Sequence, residues 1–404
     1  MQRALAAKRV VTCDASRPGV LGIIEDAIVT IDGPRLAYVG PRGSAPPGQL
    51  VELVELGDRL ITPGLVDSHT HACWLGSRHD EYAVRMAGGD YRAIASRGGG
   101  IVGTHRAVAE ATEQELADAL RARVRRMASL GVTTVEVKSG YGLDLIHERK
   151  QLAAIARVAA RGDVPALVPT LLALHALPAS ARSSGDNRAE YVARVARDLV
   201  PEVARERLAR FVDAYVDVDA FTAEEARAVG ESALREGLGV RLHVGQFADV
   251  GGAQLAASLG ARSADHLEHI AADGIEALAR AGVAAVLLPI ASFTLGQRPP
   301  PVQALRSAGL TLVVASDANP GTAPTESLPL AMALAVRIYG LSPEEALLAA
   351  TRNAAETLGL KDRGVLREGA RADLVVWDLP HEQALVQPWG VAKTHSVIAG
   401  GSEL

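Results

Sequence analysis

Pro63-Gly64-Leu65-Val66-Asp67-Ser68-His69-Thr70-His71 sets two histidines one residue apart at the end of an apolar run. Alternate residues of an extended chain point to the same side, so His69 and His71 face one point in space. That is how a strand offers two imidazoles to one metal ion, and imidazole suits zinc and iron. A catalytic site needs about three protein ligands and an open position for water, so the pair is only part of a site. On its own an H-x-H pair is weak evidence for a metal, since two polar loop residues read the same way. The Pro63-Gly64 turn ahead of it marks the entry to a strand whose far end carries the pair.

The 404 residues are 48% hydrophobic and 22% charged, enough apolar material for one large domain with a smaller companion. Net charge is -5 and the basic residues are dispersed, which leaves no footprint for nucleic acid or an anionic membrane. A small polar substrate is the expected partner. Cys13 and Cys73 are too few for a disulfide framework, and no run approaches the roughly 18 apolar residues of a membrane span. A cytoplasmic location is expected.

Residues 1–62 read as short strands, at Val10 to Thr12, Ala27 to Ile31, Leu36 to Val39 and Leu50 to Glu55, separated by Asp32-Gly33-Pro34 and Pro46-Pro47-Gly48. Apolar runs then alternate with helical segments. The runs are Leu60 to His71, Thr133 to Lys138, Ala166 to His175, Phe211 to Asp217, Gly239 to Val244, Ser263 to Leu267, Val283 to Ile290 and Thr311 to Ser316. They make about eight, the count of a closed (β/α)8 TIM-type barrel. Thr112 with Glu115, Thr222 with Glu225, and Ser342 with Glu345 fit helix capping boxes, and Gly359 suits a helix C-terminus. No glycine-rich dinucleotide or phosphate loop follows a strand. From about Gly364 strands return, at Ala372 to Trp377 and Ser396 to Ile398. The expected organisation is therefore an α/β barrel over 63–363 beside a composite β-sandwich built from 1–62 and 364–404.

Functional residues of a parallel barrel sit at the C-terminal ends of its strands. That rule selects His69 and His71, Lys138 with Tyr141, His175, His243, Asp265-His266 and Asp317. Singly, each has an ordinary structural reading; Asp317-Ala318-Asn319-Pro320-Gly321 alone is a turn. Jointly, His69, His71, His243, His266 and Asp317 supply three imidazoles and a carboxylate for one metal, plus one imidazole to handle protons. His79, His105, His147, His381 and His395 lie in helical or loop contexts and read as surface, and His269 as solvent-facing or supporting.

These residues resemble the pattern of the amidohydrolase superfamily, with H-x-H on the first strand, His on the fifth and sixth and Asp on the eighth. Within it, the chain is similar over nearly its whole length to hydrolases that open an imidazolone ring in histidine degradation. The runs that carry this are Pro63 to His71, Gly98-Gly99-Gly100-Ile101-Val102, Glu136-Val137-Lys138-Ser139-Gly140-Tyr141-Gly142-Leu143, His175-Ala176, Ser263-Ala264-Asp265-His266-Leu267 and Ser316 to Thr322. The resemblance implies one Zn2+ or Fe3+ ion per subunit on His69, His71, His243 and Asp317. It implies that Arg78, Tyr91 and Tyr141 receive a substrate carboxylate and that His175 contacts the ring. Gln246, Asn319, Gly321 and Thr322 would line the same pocket, with His266, Asp317 and His175 as the catalytic groups. A homodimer is expected from the same likeness.

One departure stands out. The family usually has an acidic residue two or three positions past the fifth-strand histidine, and here the run is His243-Val244-Gly245-Gln246. Gln cannot exchange a proton at neutral pH, which leaves Asp317 and His266 as acid/base candidates. His175 and the metal are the expected stabilisers of the oxyanion. Dinuclear relatives bridge their metals with a lysine on the fourth strand, and Phe211 to Asp219 contains none, so a single ion is expected. Lys138 could pair with Asp67 or Glu136, or shape the anion site. Two other readings use the same ligands: a deaminase of a heterocyclic base, which would not need the Arg78 and tyrosine anion pocket, and a non-catalytic scaffold of this fold.

Overall fold

In a computed structural model that describes residues 2–46, 52–89, 99–178, 181 and 185–404, eight parallel strands pair in chain order. They are Leu65–Asp67, Val132–Lys138, Ala166–Leu174, Phe211–Val216, Gly239–Val244, Ser263–His266, Ala284–Leu287 and Leu312–Val314. Past the eighth strand the ring closes onto the first: Asp317 N–H donates to the His69 carbonyl and His71 N–H to the Ala318 carbonyl, each at 3.0 Å. Nearly every strand residue is buried, as expected where helices cover one face and the barrel interior the other. The capping boxes at Thr112, Thr222 and Ser342 are all formed, and Gly359 follows its helix at φ +66°. Each box returns two otherwise orphaned N–H groups to hydrogen bonds.

Two apolar runs divide differently from expectation. Leu60 to His71 is not one strand: Leu60–Pro63 pairs with Gln2–Val11 and Leu374–Trp377 in a second sheet, and the chain enters the barrel only at Leu65. Val283 to Ile290 yields a strand of only four residues, because Pro289 opens the helix Pro289–Leu295. Proline lacks the N–H a strand needs but suits a first helical turn.

The second sheet is mixed and draws on both ends of the chain. Its order is Ser402–Glu403, Thr394–Ala399, Leu374–Trp377, Leu60–Pro63, Gln2–Val11, Ile23–Asp32 and Arg35–Pro41, with Leu53–Glu55 also on Gln2–Val11. Leu5, Val29 and Leu36 share one apolar cluster with Leu374, Val376 and Ile398, so the terminal segments bury each other. Among the described residues no helix is long and apolar enough to cross a membrane.

Gly64 is the hinge point between the two sheets. Its N–H donates to the Asp373 carbonyl at 3.0 Å, while Leu65 N–H donates to the Gly131 carbonyl at 2.9 Å. A Cβ there would lie 2.1 Å from Thr133 Oγ1, inside a buried contact. Gly64→Ala should therefore cost about 1–3 kcal/mol, the usual range for overpacking, read as a lower denaturant midpoint. An unchanged midpoint would mean the junction has slack that the packing does not show.

Candidate active site

His69 and His71 leave the first strand just after Asp67, in backbone pinned on both sides. Besides the closure bonds to Asp317 and Ala318, Lys138 N–H donates to the Thr70 carbonyl at 3.0 Å. Asp67 accepts the N–H and hydroxyl of Ser316 at 3.0 and 2.5 Å, joining the strands that carry the histidine pair and Asp317. Asp317 Oδ1 is 3.4 Å from Nε2 of both His69 and His71, and His243 Nε2 is 3.3 Å from His71 Nε2. The possible ligand atoms of His69, His71 and Asp317 all lie within 4.8 Å of one another, as do those of His69, His243 and His266.

This donor set fits a metal ion. His69 Nδ1 faces Asp265 at 2.6 Å and His243 Nδ1 faces Asp213 at 3.0 Å, so each ring gives its proton outward and keeps a lone pair on Nε2. His69 Nε2 has no hydrogen-bond partner among the described residues although it is fully buried. Burial, then the Lys138 ammonium and neighbouring imidazoles, holds the His69 ring well below its ordinary pKa. His71 is lowered by burial and then by His175, so both are neutral and ready to ligate.

Behind the ligands lies a plate of buried charge. Lys138 meets Glu136 at 2.9 Å and Asp213 at 2.8 Å, all three with no exposed side-chain surface. Glu136 also accepts the N–H of Thr70, between the two histidines, at 3.1 Å. Arg241, likewise buried, donates to the Ser68 carbonyl at 2.9 Å and lies 3.3 Å from Asp265. Lys138 is thus committed to Glu136 and Asp213, and Asp67 is taken by Ser316.

Two acid/base candidates, Asp317 and His266, line the same cavity. Burial pushes the Asp317 carboxyl up to about 7, against the pull of His266. Desolvation lowers the His266 pKa, but Glu268, Asp317 and Asp265 together outweigh it and raise the value; the His266 and Glu268 side chains approach to 3.7 Å, beyond hydrogen-bond length but within reach of charge attraction. Both residues sit in the left-handed backbone region, His266 at φ +83° and Asp317 at φ +56°. Such conformations cost about 1–3 kcal/mol each and gather at functional sites.

The barrel mouth opens into a cavity of about 590 Å³, lined by His71, Arg78, Tyr141, His175, His243, Gln246, His266, Asp317, Asn319 and Thr322. The structure thus brings together the expected site residues apart from three: His69 lies beneath, Gly321 supports Arg78, and Tyr91 lies outside the described residues. Arg78 is 8% exposed and bound to Glu81 at 2.8 Å. A Cβ on Gly321 would meet Arg78 Nη1 at 2.1 Å, so the loop must carry glycine for the guanidinium to lie there. Asn319 Oδ1 accepts the N–H of Gly321 at 2.8 Å and of Thr322 at 2.7 Å, which shapes that loop. Gln246 Oε1 accepts the Tyr215 hydroxyl at 2.9 Å, leaving its NH2 as the free donor of the amide.

His175 is held in one tautomer. Its Nδ1 must donate to the Gly140 carbonyl, 2.7 Å away, and burial lowers its pKa to about 3. The ring is neutral with a bare Nε2, so it accepts a hydrogen bond and cannot stabilise an oxyanion by donating one. His105, expected at the surface, is half-buried and bonds the Tyr141 carbonyl at 3.0 Å. Asp213, Arg241, Glu268 and the Glu148–Gln151 pair were not singled out by the strand-end rule. The first two carried one usable signal: a charged residue inside an otherwise apolar strand.

The chain belongs to the amidohydrolase family, whose model matches residues 60–404. Within that family its relatives are imidazolonepropionases. It is 43% identical to imidazolonepropionase of Paracoccus denitrificans over 97% of this chain and 98% of that protein. It is 42% identical to that of Caulobacter vibrioides, over 97% of each. Among solved structures, a triazine hydrolase variant shares the fold at TM-score 0.77 with 20% identity, covering 100% of this chain and 94% of that one. An adenosine deaminase from Xanthomonas campestris with bound zinc does so at 0.71 and 20%, over 99% and 92%.

Proposed function

We propose that this chain is a hydrolase of cyclic amide C–N bonds that converts 4-imidazolone-5-propanoate to N-formimidoyl-L-glutamate. The observation that carries the reading is the joining, at one cavity, of His71, His243 and Asp317, with His69 beneath them, to a buried Arg78 and to Tyr141. The similarity to imidazolonepropionases over nearly the whole chain supports the same substrate. His69, His71, His243 and Asp317 would hold a single Zn2+ or iron ion. When bound, such an ion makes water acidic enough to supply hydroxide near neutral pH and polarises a carbonyl oxygen.

The chain's own groups do the rest. Arg78 and Tyr141 anchor the propionate, since guanidinium and phenol both donate to carboxylate oxygens. His175 Nε2 accepts a ring N–H, and the Gln246 NH2 offers a donor to a ring acceptor. Water oxygen bonds to the ring carbonyl carbon, and the C–N bond breaks to leave on nitrogen. That nitrogen needs a proton, which Asp317 or His266 takes from water and returns. A glutamine at 246 is then no obstacle, because proton transfer falls to Asp317 or His266, which line the same cavity. We further place the protein in the cytoplasm, as a homodimer. Its two cysteines are unpaired and buried, which suits a reducing compartment.

Chelated protein reloaded with zinc or iron in turn should recover loss of imidazolonepropionate absorbance with one of them. Tight metal binding without turnover would turn attention to heterocyclic-base deamination. Arg78→Ala should raise KM by about 10–100-fold with a smaller fall in kcat, since a remote anchor contributes mostly uniform binding. Gly321→Ala should act in the same direction by displacing the guanidinium. A fall in kcat at constant KM would remove Arg78 from the anchoring role.

A further inference from the structure

The loop that carries Tyr141 is held by side chains the mechanism does not use. Glu148, fully buried on the first turn of the helix Leu145–Ala159, accepts the N–H of Gly140 and of Leu143, each at 2.8 Å. One turn on, Gln151 Oε1 accepts the N–H of Tyr141 at 3.0 Å, while its Nε2 donates to the Cys73 carbonyl at 2.7 Å, two residues past His71. The loop backbone is bent to suit, with Gly140 at φ +100° and Leu143 at φ +52°. Gly142 lies so close to the helix that a Cβ would sit 2.2 Å from Glu148 N. The carbonyl of Gly140 in turn fixes the protonated nitrogen of His175.

We propose that Glu148 and Gln151 are positioning residues that clamp this loop and so set Tyr141 against the substrate carboxylate. The inference rests on the substrate reading above. A buried carboxylate spanning two loop N–H groups is a rigid strut, because leaving either donor unpaired costs its desolvation. Glu148→Gln preserves size but gives the amide one oxygen for two donors, so one loop N–H meets an NH2.

The test compares imidazole-4-propionate with imidazole as competitive ligands of the metal-loaded full chain, alongside turnover of imidazolonepropionate. In the wild type the propionate should improve affinity. In Glu148→Gln that improvement should shrink about tenfold with the affinity for imidazole itself unchanged, the size of one weakened hydrogen bond to a charged group. In a Tyr141→Phe background the same change should have little further effect. A merely structural role would weaken both ligands alike. Should Glu148→Gln fail to fold, Gln151→Leu removes the Tyr141 acceptor together with the bond to the Cys73 carbonyl and is read by the same ratio. Wild-type turnover together with a propionate advantage that survives both variants, or is lost equally without the Tyr141 hydroxyl, overturns the clamp alone. A wild type with no propionate advantage overturns the substrate reading and the clamp with it.

Discussion

Asp317→Asn should lose its bound metal and at least about a thousandfold in kcat/KM while the protein stays folded. The carboxylate oxygen stands 3.4 Å from Nε2 of both His69 and His71, so in the proposed donor set it would be the one anionic ligand, beside two neutral rings. Asparagine keeps the shape and the backbone bond from N–H to the His69 carbonyl, but it removes the charge and the proton-accepting oxygen together. Folding should survive, since in the metal-free chain that carboxylate is a buried group driven toward its neutral form. Elemental analysis and turnover measured on the same preparation decide the matter. A variant with full metal content and activity within tenfold of the wild type would show that Asp317 is neither ligand nor base.

The barrel was legible because most of the parallel strands, buried on both faces, stand out as largely apolar runs, and because Thr112, Thr222 and Ser342 announce the helices between. The candidate site was legible because the fold puts function at strand ends, where His243, His266 and Asp317 break apolar runs. What could not be read was how a run divides when both parts are apolar. Leu60–Pro63 and Leu65–Asp67 are equally buried, and only tertiary pairing assigns them to different sheets. Gln2–Val11 was hidden in part for the opposite reason: its alanines and basic residues mimic no strand pattern, yet its long pairing with Ile23–Asp32 defines it. The supporting residues were illegible in a further sense. Glu148 looks like an ordinary first-turn acid of an amphipathic helix, and its role exists only once the loop Ser139 to Leu143 folds back onto it. The tautomer of His175 likewise depends on a carbonyl 35 residues away in the chain.

Lys138→Met should lower the unfolding free energy of the metal-free protein by about 3–5 kcal/mol, the cost of leaving a buried charge without its partner. Lys138 is the cation between Glu136 and Asp213, and none of the three side chains reaches solvent. Methionine fills the volume but leaves two carboxylates facing each other in a dry interior. The damage should reach the site by two routes. Asp213 holds Nδ1 of His243, and Glu136 holds the N–H of Thr70 between His69 and His71, so both sides of the donor set lose their register. Metal affinity should then fall by about 10–100-fold, as it does when the groups that orient ligands are removed. Adding Asp213→Asn removes one of the stranded charges and should recover part of the stability, because the two positions interact directly and their effects are not additive. It should recover no metal affinity, since a neutral amide is a poorer acceptor for the imidazole N–H and enriches the ring lone pair less. Denaturant unfolding of the four proteins of this cycle, with metal competition against a chelator, separates the two effects. A single variant destabilised by less than about 1 kcal/mol would mean that the buried carboxylates do not depend on the lysine's charge.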